Sequence, residues 1–107
     1  MGLDACIFPK PKAKTIEQCR NEWYDRFYWR KNYVIDDYIT QNCKEIEEGS
    51  DEYILTKAEV YTLLRHCVDT AQEEDNRYMD AIEGVRVLAQ LLDEESEYDR
   101  FIYSASR

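Results

Sequence analysis

Glycine and proline are scarce, three and two in 107 residues. That scarcity excludes collagen-like and linker-rich chains and leaves too few turn residues for a many-stranded sandwich. No apolar run approaches the roughly 18–20 residues that a membrane-spanning helix needs, so no membrane association is expected. Histidine occurs once, as His66. There is no glycine-rich phosphate loop, no HExxH, no GxSxG and no Ser–Lys arrangement. The four cysteines, Cys6, Cys19, Cys43 and Cys67, are never closer than 13 positions. Zinc sites usually draw on ligand pairs roughly two to four residues apart, so no metal and no cofactor is expected. The opening MGLDACIFPKPKAK lacks the charged start, apolar stretch and small-residue cleavage site of a secretory leader. Four reduced thiols in a cytoplasmic setting are therefore expected rather than two disulfides. Myristoylation would want Ser or Thr where Cys6 stands.

What is abundant is negative charge. Twenty-three acidic residues face 14 basic ones, a net of −9, and 44 % apolar residues suffice for one core. A single domain over residues 1–107 is expected. Leu3–Phe8 reads as a short edge strand closed by Pro9 and Pro11, followed by a basic loop with Lys10, Lys12 and Lys14. Ile16, Cys19, Trp23 and Phe27 recur at helical steps, and a second periodic stretch runs from about Trp29 to Cys43 through Ile35, Tyr38, Ile39 and Asn42. Tyr53–Leu55 is a possible short strand. Thr56 stands three before Glu59, a capping box opening a helix with Val60, Leu63, Leu64, Cys67, Val68 and Ala71 inward. A last helix spans about Tyr78 to Asp93, with Ile82, Val85, Ala89 and Leu92 inward. Gly84 within it implies close packing. Phe101–Tyr103 is β-prone and should pair with Leu3–Phe8, since a lone strand cannot satisfy its own backbone. The expected fold is helix-rich α+β, three to four helices with a two- or three-stranded sheet made by the termini.

No arrangement of nucleophile, base and orienting group stands out, so an enzyme is not expected. Cys67 belongs to an apolar stripe and diverges from neighbouring His66 on the helix. Two features rise above the background. Arg20–Tyr33, RNEWYDRFYWRKNY, holds six of 14 aromatics together with Arg20, Arg26, Arg30 and Lys31. It is either an aromatic core overlaid by Arg stems or a partner-binding face of Trp23, Arg26 and Arg30. Nucleic-acid stacking is a third reading, opposed by the net charge. The second feature is charge asymmetry: seven bases against four acids over 1–31, then seven against 19 over 32–107, which is +3 and −12. The acids cluster at Glu45, Glu47, Glu48, Asp51 and Glu52, at Glu73–Asp75, and at Asp93, Glu94, Glu95, Glu97 and Asp99. These clusters are either solvated helix ends and loops or a surface that steers onto a basic partner in the manner of phosphates.

Four segments together resemble a family of small bacteriophage and prophage proteins of unassigned function. They are the opening MGLD, Tyr28–Asn32 (YWRKN), Tyr53–Leu64 (YILTKAEVYTLL) and Phe101–Ser106 (FIYSAS), in that order across almost the whole chain. The chain departs from the family in a short link between its last helices and in Arg107 where a terminal aromatic is usual. The resemblance implies a phage origin and the host cytoplasm, and carries over no catalytic or binding residues. With the charge pattern it leads to one expectation: a protein that binds and inhibits a host complex by covering its basic nucleic-acid-binding surface, an anti-CRISPR or similar counter-defence role. Its expected partner residues are Glu45, Glu47, Glu48, Asp51, Glu52, Asp93, Glu94, Glu95, Glu97, Trp23, Arg26 and Arg30, with no direct nucleic-acid binding. The alternative is a small-ligand-binding accessory protein whose pocket is built from the Trp23–Tyr33 aromatics and His66. A third reading is a homo-oligomeric structural module.

Overall fold

A computed structural model describes residues 3–23, 26–73 and 77–106. Met1 and Gly2 of the opening motif, Tyr24, Glu74 and Asp75 of the predicted clusters, and Arg107 lie outside the described residues. The element order is β1 (Asp4–Pro9), α1 (Ile16–Trp23), β2 (Tyr28–Arg30), α2 (Tyr33–Asn42), β3 (Lys44–Glu45), β4 (Glu52–Thr56), α3 (Lys57–Gln72), α4 (Tyr78–Glu94) and β5 (Arg100–Ser106). The fold is helix-rich α+β, with an antiparallel sheet in the order β2-β1-β5-β4-β3. The terminal strands pair as expected, Ile7 opposite Tyr103 and Phe8 opposite Ile102. The possible short strand at Tyr53–Leu55 is present as β4, and the sheet has five strands rather than two or three because β2 and β3 are too short to stand out by alternation.

β1 is not an edge strand over its first half, where Asp4, Ala5 and Cys6 pair with Arg30, Trp29 and Tyr28. Pro9 falls beyond β2, so its missing N–H breaks no ladder on that side.

The single long periodic stretch expected from Trp29 to Cys43 is split. Lys31 takes a left-handed backbone (φ +53°), which ends β2. Asn32 then caps α2, its side chain accepting from the Ile35 N–H at 3.2 Å. Trp29 therefore belongs to the sheet. Ile35 and Ile39 are buried as expected, Tyr38 is half-buried and Asn42 is exposed.

The Thr56–Glu59 capping box is present in both directions, at 3.2 and 3.0 Å. Thr15 and Gln18 form the same reciprocal pair at the start of α1, at 3.2 and 2.9 Å.

Strand register sorts the side chains by face. Ala5, Ile7, Trp29, Tyr53, Leu55, Phe101 and Tyr103 share one face, which α2, α3 and α4 cover. There the Tyr103 hydroxyl donates to Asp36 Oδ1 of α2 at 2.9 Å. Asp4, Cys6, Phe8, Tyr28, Glu52, Ile54 and Ser104 share the other face. α1 crosses it, held by an Arg20–Glu52 ion pair.

In α3 the buried stripe is Val60, Leu63, Cys67 and Thr70, while Leu64, Val68 and Ala71 are half-buried at its flank. In α4 the expected stripe is displaced by one residue. Ala81, Gly84, Leu88, Leu91 and Leu92 are inside, Val85 is half-buried, and Ile82 and Ala89 are exposed. The cause is Gly84. A Cβ there would lie 2.7 Å from Cys67 Sγ and 3.4 Å from Ile35, so the three helices converge on the bare backbone.

Candidate functional site

Three aromatics of the aromatic and Arg stretch are core, while Tyr28 and Tyr33 are exposed. Trp23, Phe27 and Trp29 are each at most 4 % exposed. Trp29 stacks on Tyr103 (6.1 Å) and Trp23 meets Tyr98 edge-on (5.9 Å). Trp23 thus leaves the expected partner face. Arg26 and Arg30 are exposed but held by carboxylates, Arg30 by Asp4 at 2.9 Å and Arg26 by Glu95 at 3.3 Å and Glu94 at 3.8 Å.

Glu95 also leaves the surface set. It is 7 % exposed and accepts from Trp23 Nε1 at 3.2 Å as well as from Arg26. A buried carboxylate with two donors ties α1 to the end of α4; it is a structural residue.

The first acidic cluster forms the β3–β4 turn. Gly49 (φ +83°) and Asp51 (φ +57°) supply the left-handed geometry that reverses the chain. Glu45 accepts the Asp51 N–H at 2.9 Å and holds the loop from inside. The Asp51 carbonyl accepts the Ala105 N–H at 3.0 Å, joining the turn to β5. Glu52 is half-buried in its pair with Arg20. Of the five acids, only Glu47 and Glu48 are fully exposed.

The second cluster closes α4. Asp93 and Glu94 lie in its last turn, and Glu97 and Asp99 follow; all four are exposed. No basic residue stands in the last turn of α2, α3 or α4. Carboxylates at a helix C-terminus sit against the negative pole of the helix dipole. Asp93 and Glu94, in the last turn, are each disfavoured by about 0.3–1 kcal/mol, the converse of what a cation would gain there. Arg26 offsets this at Glu94. Asp93, Glu97 and Asp99 have no cation within ion-pair distance among the described residues.

The two clusters are not one surface. Glu52 faces Ser104 at one end of β4, and Thr56 faces Arg100 at the other. Four residue steps of about 3.4 Å put roughly 14 Å of strand between the turn and the α4 end.

Among the described residues the aromatic pocket of the alternative reading is not assembled. Trp23 and Trp29 are packed inside, and His66 lies against Tyr38 of α2, ring centroids 4.8 Å apart. Beside that pair is a shallow depression of about 290 Å³ lined by Asp37, Gln41, Asn42 and Arg77. No group of three His, Cys, Asp or Glu side chains among the described residues is placed to hold a metal ion. Burial pushes the Cys67 thiol up to about 12; burial, with Glu59 beside it, does the same for Cys43. Both are protonated at neutral pH and poor nucleophiles.

Sequence reasoning missed a cationic cleft of about 570 Å³. Lys10, Lys12, Lys57 and Arg100 line it with Tyr98, Glu97 and Asp99. The basic loop was visible in the sequence, but Lys57 and Arg100 reach it only through strand pairing. No family model, curated protein or solved structure matches this chain. No helix in it is long and apolar enough to cross a membrane.

Proposed function

We propose that this protein is a non-enzymatic inhibitor that covers a basic, nucleic-acid-binding surface of a partner complex with the acidic end of α4. The observation that carries the reading is where the acids stand. Asp93 and Glu94 stand in the last turn of α4, at its negative pole, a location that costs folding stability, and the exposed Glu97 and Asp99 follow directly. Solubility alone would be served by acids placed anywhere on the surface. A row of exposed carboxylates on a helix end instead steers onto cations. Glu47 and Glu48 on the far turn form a second, smaller acidic point. The likeness of MGLD, YWRKN, YILTKAEVYTLL and FIYSAS to phage proteins supports a host complex as the partner, in the host cytoplasm, and a counter-defence role such as anti-CRISPR activity.

The test is capture of a partner from bacterial lysate, repeated with charge-neutral variants. Glu95 and Glu45 are left alone, because both hold structure. Wild type should retain a partner at 0.1 M salt and release it near 1 M, as the Debye length falls from about 10 to about 3 Å. Duplex DNA should displace it. Asp93→Asn, Glu94→Gln and Glu97→Gln together should weaken retention at least tenfold, and Glu47→Gln with Glu48→Gln less. Retention by both sets without DNA competition would refute the proposal.

A further inference from the structure

The acidic surface leaves one feature unused, the cleft of opposite sign at the start of α3. Lys10 and Lys12 follow β1, Lys57 opens α3 and Arg100 opens β5. They converge because Pro9 pairs with Phe101 and Thr56 with Arg100, which brings three chain segments to one end of the sheet. The backbone locks this junction: the Lys10 N–H donates to the Arg100 carbonyl at 2.8 Å and the Lys57 N–H to the Asp99 carbonyl at 2.9 Å.

Four cations and two carboxylates line the cleft, a local net of +2 in a chain of net −9. Among the described residues none of the four cations forms an ion pair, although Lys14, Arg20, Arg26, Arg30 and Arg77 all do. Lys10 and Lys57 each give one ammonium hydrogen bond to a carbonyl, of Pro11 and Ser96, and keep two donors. The other unpaired described cations, Lys31, Lys44, Arg65 and Arg86, do not line this cleft. The first turn of α3 adds to the field. Ala58 lines the cleft, and its N–H has no acceptor among the described residues. Tyr98 contributes an aromatic ring at the same wall.

We infer that this cleft binds a small polyphosphate, of the size and chemistry of a nucleoside di- or triphosphate. Four converging donors suit several phosphate oxygens, and Tyr98 offers a ring for a base. The volume lies within the range of small-molecule sites, about 300–1,000 Å³. A long nucleic-acid strand is disfavoured, since it would have to pass the acidic residues at the end of α4. The cleft shares Glu97 and Asp99 with the edge of the acidic interface, but its cations take no part in that interface, so the two sites are tested separately.

The experiment is calorimetric titration of the full chain at 0.1 M salt with pyrophosphate, a nucleoside triphosphate and a ten-residue oligothymidylate. Pyrophosphate and the nucleotide should both saturate with one site, the nucleotide more tightly. Lys12→Gln with Arg100→Gln removes two exposed cations whose side chains hold no described contact, so folding should survive, as circular dichroism will check. Affinity for both ligands should fall at least tenfold. Lys44→Gln, on β3, should change it less than twofold. Three results would overturn the site: no saturable binding by wild type, equal binding by the double variant, or an equal loss in Lys44→Gln. Tighter binding of the oligonucleotide than of the nucleotide would overturn the small-molecule assignment.

Discussion

Gly84 shows how one missing side chain sets the packing of three helices. An added Cβ would meet Cys67 Sγ at 2.7 Å, and that sulfur is fixed in a fully buried position. Gly84→Ala should destabilise by about 1–3 kcal/mol, the usual cost of overpacking. Ala has the better helix propensity, so a loss in urea midpoint would isolate the clash. Adding Cys67→Ala should recover part of it, a non-additivity expected of touching residues. The thiols make a second residue-scale prediction. Cys43 and Cys67 are pushed from an ordinary value near 9 to about 12, so above pH 9 the unfolded chain releases protons that the folded chain keeps. Stability should be flat up to about pH 8.5 and fall beyond it. Urea midpoints from pH 7 to 10.5 measure this, and Cys67→Ala should flatten the fall. Native protein at pH 8 should resist thiol reagents until it unfolds.

At the scale of elements, α4 carries two conflicts between local preference and the whole. Its apolar residues offer two adjacent stripes, Ile82–Val85–Ala89 and Ala81–Gly84–Leu88. Side-chain hydrophobicity favours the first. Close approach of α3 selects the second, which leaves Ile82 40 % exposed. The other conflict is the acidic C-terminus. Asp93→Lys should stabilise the protein by about 0.3–1 kcal/mol by placing a cation at the negative pole. It should also weaken partner capture. Gain of stability with unchanged capture would separate the dipole argument from the functional one. The start of α2 departs from the hydrophobic pattern for a different reason. It is set by a left-handed Lys31 and by Asn32, whose amide also donates to the Asp80 carbonyl and to Glu83. Left-handed geometry at a lysine leaves no mark in a hydrophobic pattern.

For the whole molecule the deciding element is β5, the last strand in sequence and the middle strand in space. It joins the β2–β1 pair to the β4–β3 pair, and it supplies Phe101, Ile102 and Tyr103 to the core. Deleting Phe101–Arg107 should therefore split the sheet, expose two long edges and abolish cooperative thermal unfolding. A truncated chain that melts as sharply and at the same temperature would contradict this architecture.

What the sequence alone determined is mostly what local chemistry decides: the α+β class, the Thr56–Glu59 cap, the Cys19–Trp23 face of α1 (Phe27, expected on that face, lies past its end) and close packing at Gly84; the meeting of the terminal strands was legible too, because a lone strand cannot satisfy its own backbone. Capping and periodicity act over one or two turns, so a single sequence shows them. The division of charge into a basic start and an acidic remainder was equally legible. The rest depended on contacts between distant segments. Only burial could separate Glu95, held by Trp23 and Arg26, from its exposed neighbours Glu94 and Glu97. Only strand pairing could gather Lys10, Lys12, Lys57 and Arg100 into one cleft. Electrostatic fields sum over space rather than along the chain, so the place where charge collects is a property of the tertiary structure.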